Sequence, residues 1–296
     1  MGRASSRPSS GTGGERLGRV RLYALALCAF SALGAPPLSA QLLVDPLEVM
    51  MNTAGANRVA ATFTLINSSD KAVQATITRE DWDRAENGEN RFLPAGSTGT
   101  SCGKMLSVSP LMIRVEPRST RNVRLTVEGA AALRKECWDI VFVEETPQRE
   151  SIRGNSLHYI FRTGVKVYVA PPGLPLDAAI EDIRIEEVAV AAAGDSTNAV
   201  RPASLSAPVT KRQIAIKFRN TGGMHLLTKG HLEFRRPDNS LALRVPIDEF
   251  PTLPGSVRKV TVDAPAGLPA GDYVVLALLD FGGAELIAGQ IEFQAK

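Results

Sequence analysis

Side chains that could do chemistry are sparse in this sequence, and none is arranged for catalysis. Only three histidines, His158, His225 and His231, are available to any triad or metal site. His225 and His231 stand six residues apart with no third ligand in reach, so they read as surface or core histidines. The carboxylate pairs Glu144-Glu145 and Glu186-Glu187 are adjacent within strand-like runs. Neighbours on a strand point to opposite faces and cannot share a substrate. No Cys-X-X-Cys and no phosphate-cradling glycine loop occurs. The sequence therefore predicts no catalytic residue, no metal and no cofactor, and its chemistry is expected to be that of binding.

Two features bear on what is bound. From Leu157 onward, Leu157, Tyr159 and Phe161 fall on one face of a strand while His158, Ile160 and Arg162 fall on the other. The first face is bulky and apolar, which suits either the protein's own core or a second polypeptide. A long apolar edge is a liability that proteins acting alone blunt, so keeping one implies a partner. Cys102 and Cys137 are the only thiols once Cys28 leaves with the N-terminal segment. In an oxidising compartment such an even pair reads as one disulfide in preference to two buried thiols.

The elements that must position these residues are strands. Alternation of period two recurs in Ala60 to Asn67, Ala72 to Arg79, Ser107 to Val115, Arg121 to Val127, Trp138 to Glu144 and Leu157 to Val169. A second set covers Ile180 to Val190, Arg212 to Arg219, His231 to Arg235, Ser240 to Val245, Val257 to Val262, Asp272 to Asp280 and Leu286 to Gln294. Roughly seven short strands per half, with a turn about every ten residues, predict an all-β protein of two immunoglobulin-like β-sandwich domains. Ala170-Pro171-Pro172-Gly173-Leu174-Pro175 marks a short stiff hinge between them. Ala191 to Pro208, small, polar and proline-containing, reads as a long loop inside the second domain.

The chain's first forty residues read as an export signal. Arg3, Arg7, Arg16, Arg19 and Arg21 precede the apolar run Leu22 to Ala35, and a small-residue stretch ends at Ala40. The run is too short for a membrane span, which needs about 20 residues, so no anchor is expected after cleavage near Ala40. The expected organisation is 1–40 signal, 41–171 first domain and 172–296 second domain. Formal net charge is +3, with five arginines in the signal, which argues against nucleic acid as the partner.

The first domain resembles a known family in the order of its landmarks. These are the opening strand Leu42 to Met51, the run TFTLINSSDKAVQATITREDW ending at Trp82, and LSVSPLMIRVEPRSTRNVRLTV with Pro110, Pro117 and Arg124. Glu136 in ECWDIVFVEETP and the final NSLHYIFRTGVKVYVAP complete the set. The resemblance is to the periplasmic chaperones of chaperone-usher pili, a family of two immunoglobulin-like domains. It implies that Leu157, Tyr159 and Phe161 are lent to a pilus subunit lacking its own last strand, by pairing at a sheet edge. It further implies that Lys166, with an arginine on the first strand, anchors the subunit's C-terminal carboxylate. Here Leu47 and Glu48 occupy the positions where that arginine belongs. The implied partners are pilus-like subunits and an outer-membrane usher, and the implied compartment is the periplasm. A second reading is an exported immunoglobulin-like binding or structural module without chaperone activity. A carbohydrate-binding sandwich is a third, disfavoured by an aromatic content of 5%.

Overall fold

The computed structural model describes residues 42–146, 148–152, 155–190 and 209–295. The signal segment 1–40 and the loop 191–208 lie outside the described residues. The first twelve strands are β1 (Leu42–Asp45), β2 (Glu48–Asn52), β3 (Arg58–Asn67), β4 (Val73–Arg84), β5 (Asn90–Leu93), β6 (Leu106–Ser109), β7 (Met112–Val115), β8 (Thr120–Glu128), β9 (Cys137–Glu145), β10 (Gln148–Ile152), β11 (Asn155–Tyr159) and β12 (Arg162–Ala170). The remaining seven are β13 (Ala178–Val190), β14 (Val209–Asn220), β15 (Leu226–Arg235), β16 (Leu241–Thr252), β17 (Val257–Asp263), β18 (Gly271–Asp280) and β19 (Ile287–Ala295). Among the described residues there is no α-helix, only two short 3-10 turns.

The first sandwich packs the sheet β1-β3-β8-β6 against β2-β12-β9-β4-β5, with β7 also on β4. Alternation explains the core. Phe63, Leu65, Val123 and Leu125 from one sheet meet Ile77, Val141, Val143, Val165 and Val167 from the other, all of them buried. The expected opening strand is two strands in two sheets. β1 pairs with β3, the chain crosses at Pro46, and β2 then runs parallel to β12. Pro46 lacks the N–H that a continuing ladder requires. The run Ser107 to Val115 is likewise split by Pro110 into β6 and β7.

The second sandwich packs β13-β14-β17 against β16-β15-β18-β19. Its core joins Ile214, Ile216 and Phe218 to Leu232, Phe234, Val275 and Leu279. Tyr273 closes one corner, its hydroxyl donating to the Pro269 carbonyl at 2.9 Å.

A third expected element is also divided. The run Leu157 to Val169 is not a single strand, because it breaks at Ile160–Phe161 into β11, which pairs only with β10, and β12, which pairs with β9. Three residues, 145–147, separate the paired positions Glu144 and Gln148, but only two, 160–161, separate Tyr159 from Arg162. That one-residue mismatch forbids a continuous ladder, and Pro147 in the longer arm has no N–H to contribute.

Candidate functional site

The site is built on the sheet that carries β12. Val165, Val167 and Val169 point into the core and are fully buried, so Arg162, Gly164, Lys166 and Tyr168 face outward. Beside them on the same outer face lie Trp82, Trp138, Ile140 and Phe142, and Leu253 of the second sandwich closes over this cluster. Leu253 and His225 of the second sandwich cover part of this apolar outer face, and Phe92 and Arg162 cover Phe142.

The edge of the sheet is only half occupied. β2 pairs with β12 from Lys166↔Glu48 to Ala170↔Asn52, and the Lys166 N–H donates to the Leu47 carbonyl at 2.9 Å. With a backbone period of two, the peptide groups of Gly164 and Arg162 point the same way as that of Lys166. Among the described residues no strand pairs with β12 there. Gly164 leaves room at this edge for the Ile140 and Phe142 side chains. A Cβ on it would lie 2.7 Å from Ile140 Cδ1 and 3.0 Å from Phe142 Cε1. Arg162 lies over the Phe142 ring, 3.5 Å from its centroid, and pairs with Glu80 and, at 3.7 Å, with Glu144.

The residues singled out in the sequence are distributed along this edge. Phe161 is partly buried at the break between β11 and β12, and Ile160 beside it is 56% exposed. Leu157 and Tyr159 lie on β11, at positions opposite Glu150 and Gln148. Their backbone is described and their side chains are not. Lys166 is brought directly opposite Glu48, with Nζ 2.7 Å from Glu48 Oε1 and 5.4 Å from the Trp82 ring centroid. The acidic residue in the arginine position therefore neutralises the lysine. Cys102 and Cys137 form a disulfide, Cα atoms 5.0 Å apart.

That disulfide belongs to a buried polar cluster. Asp81 accepts from the Gly96 and Thr98 amides at 2.9 and 2.8 Å, and Asp139 accepts from the Ser101 hydroxyl at 2.9 Å and the Cys102 amide at 3.2 Å. Arg79 lies 3.6 Å from Asp139 and also donates to the Leu106 carbonyl. Burial pushes the Asp139 carboxyl up to about 6, against the Ser101 bond and the charge of Arg79. Gly99-Thr100-Ser101-Cys102-Gly103 happens to spell Gly-X-Ser-X-Gly. Its serine hydroxyl donates to the Asp139 carboxylate at 2.9 Å.

Sequence reasoning missed the junction between the sandwiches. Glu136, its carboxylate fully buried, accepts from the His225 amide at 2.7 Å and lies 2.8 Å from His225 Nδ1. The His225 ring stacks on Tyr168 with centroids 3.9 Å apart. At the other end of the junction the Glu86 carbonyl accepts from the Lys259 amide at 2.8 Å. Glu136 was legible as a landmark, but its partner lies 89 positions away and no local pattern announces it.

The arrangement is two immunoglobulin-like sandwiches with, among the described residues, a half-paired sheet edge on β12. Residues 44–175 match the model of the pili and flagellar-assembly chaperone family, PapD N-terminal domain, so the first domain is similar to that family's. The description of that family is one of assembly chaperones. No curated protein matches the chain in sequence. Among solved structures, the class 5 fimbriae chaperone CfaA is 12% identical, with 84% of this chain and 98% of that one covered and a TM-score of 0.49. The CsuC–CsuE chaperone–tip adhesion subunit pre-assembly complex of Acinetobacter baumannii gives 13% identity, 85% and 98% coverage, and 0.43. The Salmonella enterica SafA pilin in complex with the SafB chaperone gives 14%, 88% and 99%, and 0.41. No helix among the described residues is long and apolar enough to cross a membrane.

Proposed function

We propose that the chain is a periplasmic chaperone that binds and stabilises fibre subunits by donor-strand complementation, after export by a signal removed near Ala40. The observation that carries this reading is the half-open edge of β12, where Arg162 and Gly164 turn their peptide groups to a strand position that no described residue fills, beside Lys166. A subunit strand pairing there adds to the sheet in line with β2, and Leu157, Tyr159 and Phe161 enter the subunit's open core. If each buries about 100 Å², about 25 cal/mol per Å² gives several kcal/mol before ordering costs. No cofactor takes part. Pilus-like subunits are the partners, and an outer-membrane usher is the acceptor of the loaded complex.

The test is recovery of a β-rich subunit with the chaperone from a periplasmic extract. Phe161→Asp and Tyr159→Asp are expected to abolish recovery while the chaperone remains folded. Undiminished recovery with both variants contradicts strand donation from this segment. A second reading, an exported module that kept the fold without the chaperone role, is favoured by one observation, the Lys166–Glu48 pair, which leaves no free cation at that point. Under that reading the wild-type protein is recovered alone when candidate subunits are co-expressed.

A further inference from the structure

Three N–H groups at the junction of the sandwiches are buried and have no acceptor: Trp82 Nε1, Arg84 Nε and Arg258 Nε. The other indole serves as a contrast, since Trp138 Nε1 donates to the Trp82 carbonyl at 2.9 Å. The three groups belong to one place. The Arg84 guanidinium carbon lies 5.6 Å from the Trp82 ring centroid. Arg84 Nη1 donates to the Gly88 carbonyl at 3.0 Å, and Arg258 Nη1, arriving from the other domain, donates to the Glu86 carbonyl of the same turn at 2.7 Å. A side chain in place of Gly88 would run into the Arg258 guanidinium.

Among the described residues neither guanidinium has a carboxylate within 4.0 Å, and the charge of Glu48 reaches Arg84 only from further off. The acidic side chains nearby are engaged elsewhere, Glu48 with Lys166 at 2.7 Å and Glu186 with Lys259 at 2.8 Å. Burial holds both arginines below the ordinary arginine range, and the charge of Arg84 adds to the effect on Arg258. Two like charges meet at a part-buried junction, their Nε–H groups buried next to an indole N–H without a partner, so the buried polar groups there are all donors. Such an arrangement is costly to bury unless an acceptor completes it.

We infer that Trp82, Arg84 and Arg258 form a seat for one oxyanion at the domain junction, a carboxylate or a phosphate. The planar guanidinium groups suit two-oxygen recognition of either anion, and the indole N–H supplies a third, neutral donor. The seat differs in residues from the lysine and arginine that the family resemblance points to, and it leaves Lys166 paired with Glu48. Its occupant is either free phosphate or the carboxylate at the end of a bound chain. Only the second source rests on the chaperone reading.

The two tryptophans make the test direct. In the nitrogen-15-labelled protein at constant ionic strength, titration with inorganic phosphate is expected to move the Trp82 indole signal and the Arg84 and Arg258 Nε–H signals saturably. The Trp138 indole should stay in place. The same titration with a short peptide bearing a free C-terminal carboxylate, against its C-terminal amide, reports the second source. Saturation by phosphate alone assigns a free anion, and saturation by the carboxylate peptide but not its amide assigns a chain end. The double variant Arg84→Gln and Arg258→Gln is expected to weaken binding at least about tenfold, the loss of one or more charge-assisted bonds. The inference is overturned if neither probe gives a saturable shift at Trp82 in the wild-type protein, or if a folded double variant binds as well as wild type. Phosphate saturation without any subunit capture would sink the chaperone reading and leave the seat standing.

Discussion

Replacing Asp139 by asparagine tests the energetics of the first domain most sharply. The Asp139 side chain is fully buried, and burial raises its carboxyl from the ordinary 3.8 to about 6. The folded protein therefore holds a proton on this group at pH values where the unfolded chain has released it. Stability must fall as pH rises from about 4 to about 6 and then stay lowered, because above that range an ionised carboxylate is being kept buried. The interval between 3.8 and about 6, at 1.36 kcal/mol per pH unit, amounts to about 3 kcal/mol. Asparagine keeps an oxygen for the Ser101 hydroxyl and the Cys102 amide but carries no charge. Urea unfolding followed by tryptophan fluorescence, at steps between pH 4.5 and 7, reads the difference, since Trp82 and Trp138 are both buried. The wild-type curve should lose about 2 to 3 kcal/mol across that range relative to Asp139→Asn. A wild-type-minus-variant difference that does not change with pH refutes the burial argument and makes the Arg79 pair the dominant influence on this carboxylate.

Two further outcomes follow from packing and cross-linking. Gly164→Val places a Cβ within 2.7 Å of Ile140 Cδ1 and should cost about 1 to 3 kcal/mol in urea unfolding by overpacking, without exposing the core. Reducing Cys102–Cys137, which closes a loop over a separation of 35 residues, should cost about 3 to 4 kcal/mol, read as a lowered unfolding midpoint in dithiothreitol. A thiol count before and after reduction checks that the bond is there to be lost.

What the sequence made legible was local. Strands such as β14, β18 and β19 announce themselves because buried and exposed residues alternate over ten or so positions, as Tyr273, Val275, Ala277 and Leu279 do. Trp82 and Glu136 were visible only as landmarks of the family resemblance, since burial cannot be read from the residue type alone. The break at Ile160–Phe161 was hidden because its cause lies in the opposite arm, at the extra residue and at Pro147, and a period-two pattern read along one strand carries no information about its neighbour's count. Glu48 was read only as a missing arginine, whereas register places it opposite Lys166 and pairs the two. The stacking of His225 on Tyr168 and the convergence of Arg84 with Arg258 join residues far apart in the chain. Their roles exist only after two domains have docked, so propensity and spacing could not reveal them.

The central claim is that a partner's strand occupies the half-open edge of β12, and backbone hydrogen exchange tests it most directly. Arg162 and Gly164 are the positions to follow, because their peptide groups face the same side as that of Lys166, which is already tied to Leu47. In the free protein these two amides should exchange fast, as unpaired edge positions do. In a complex with a captured subunit they should become strongly protected, with protection running on toward Phe161. A subunit complex in which both amides exchange as fast as in the free protein would contradict the account.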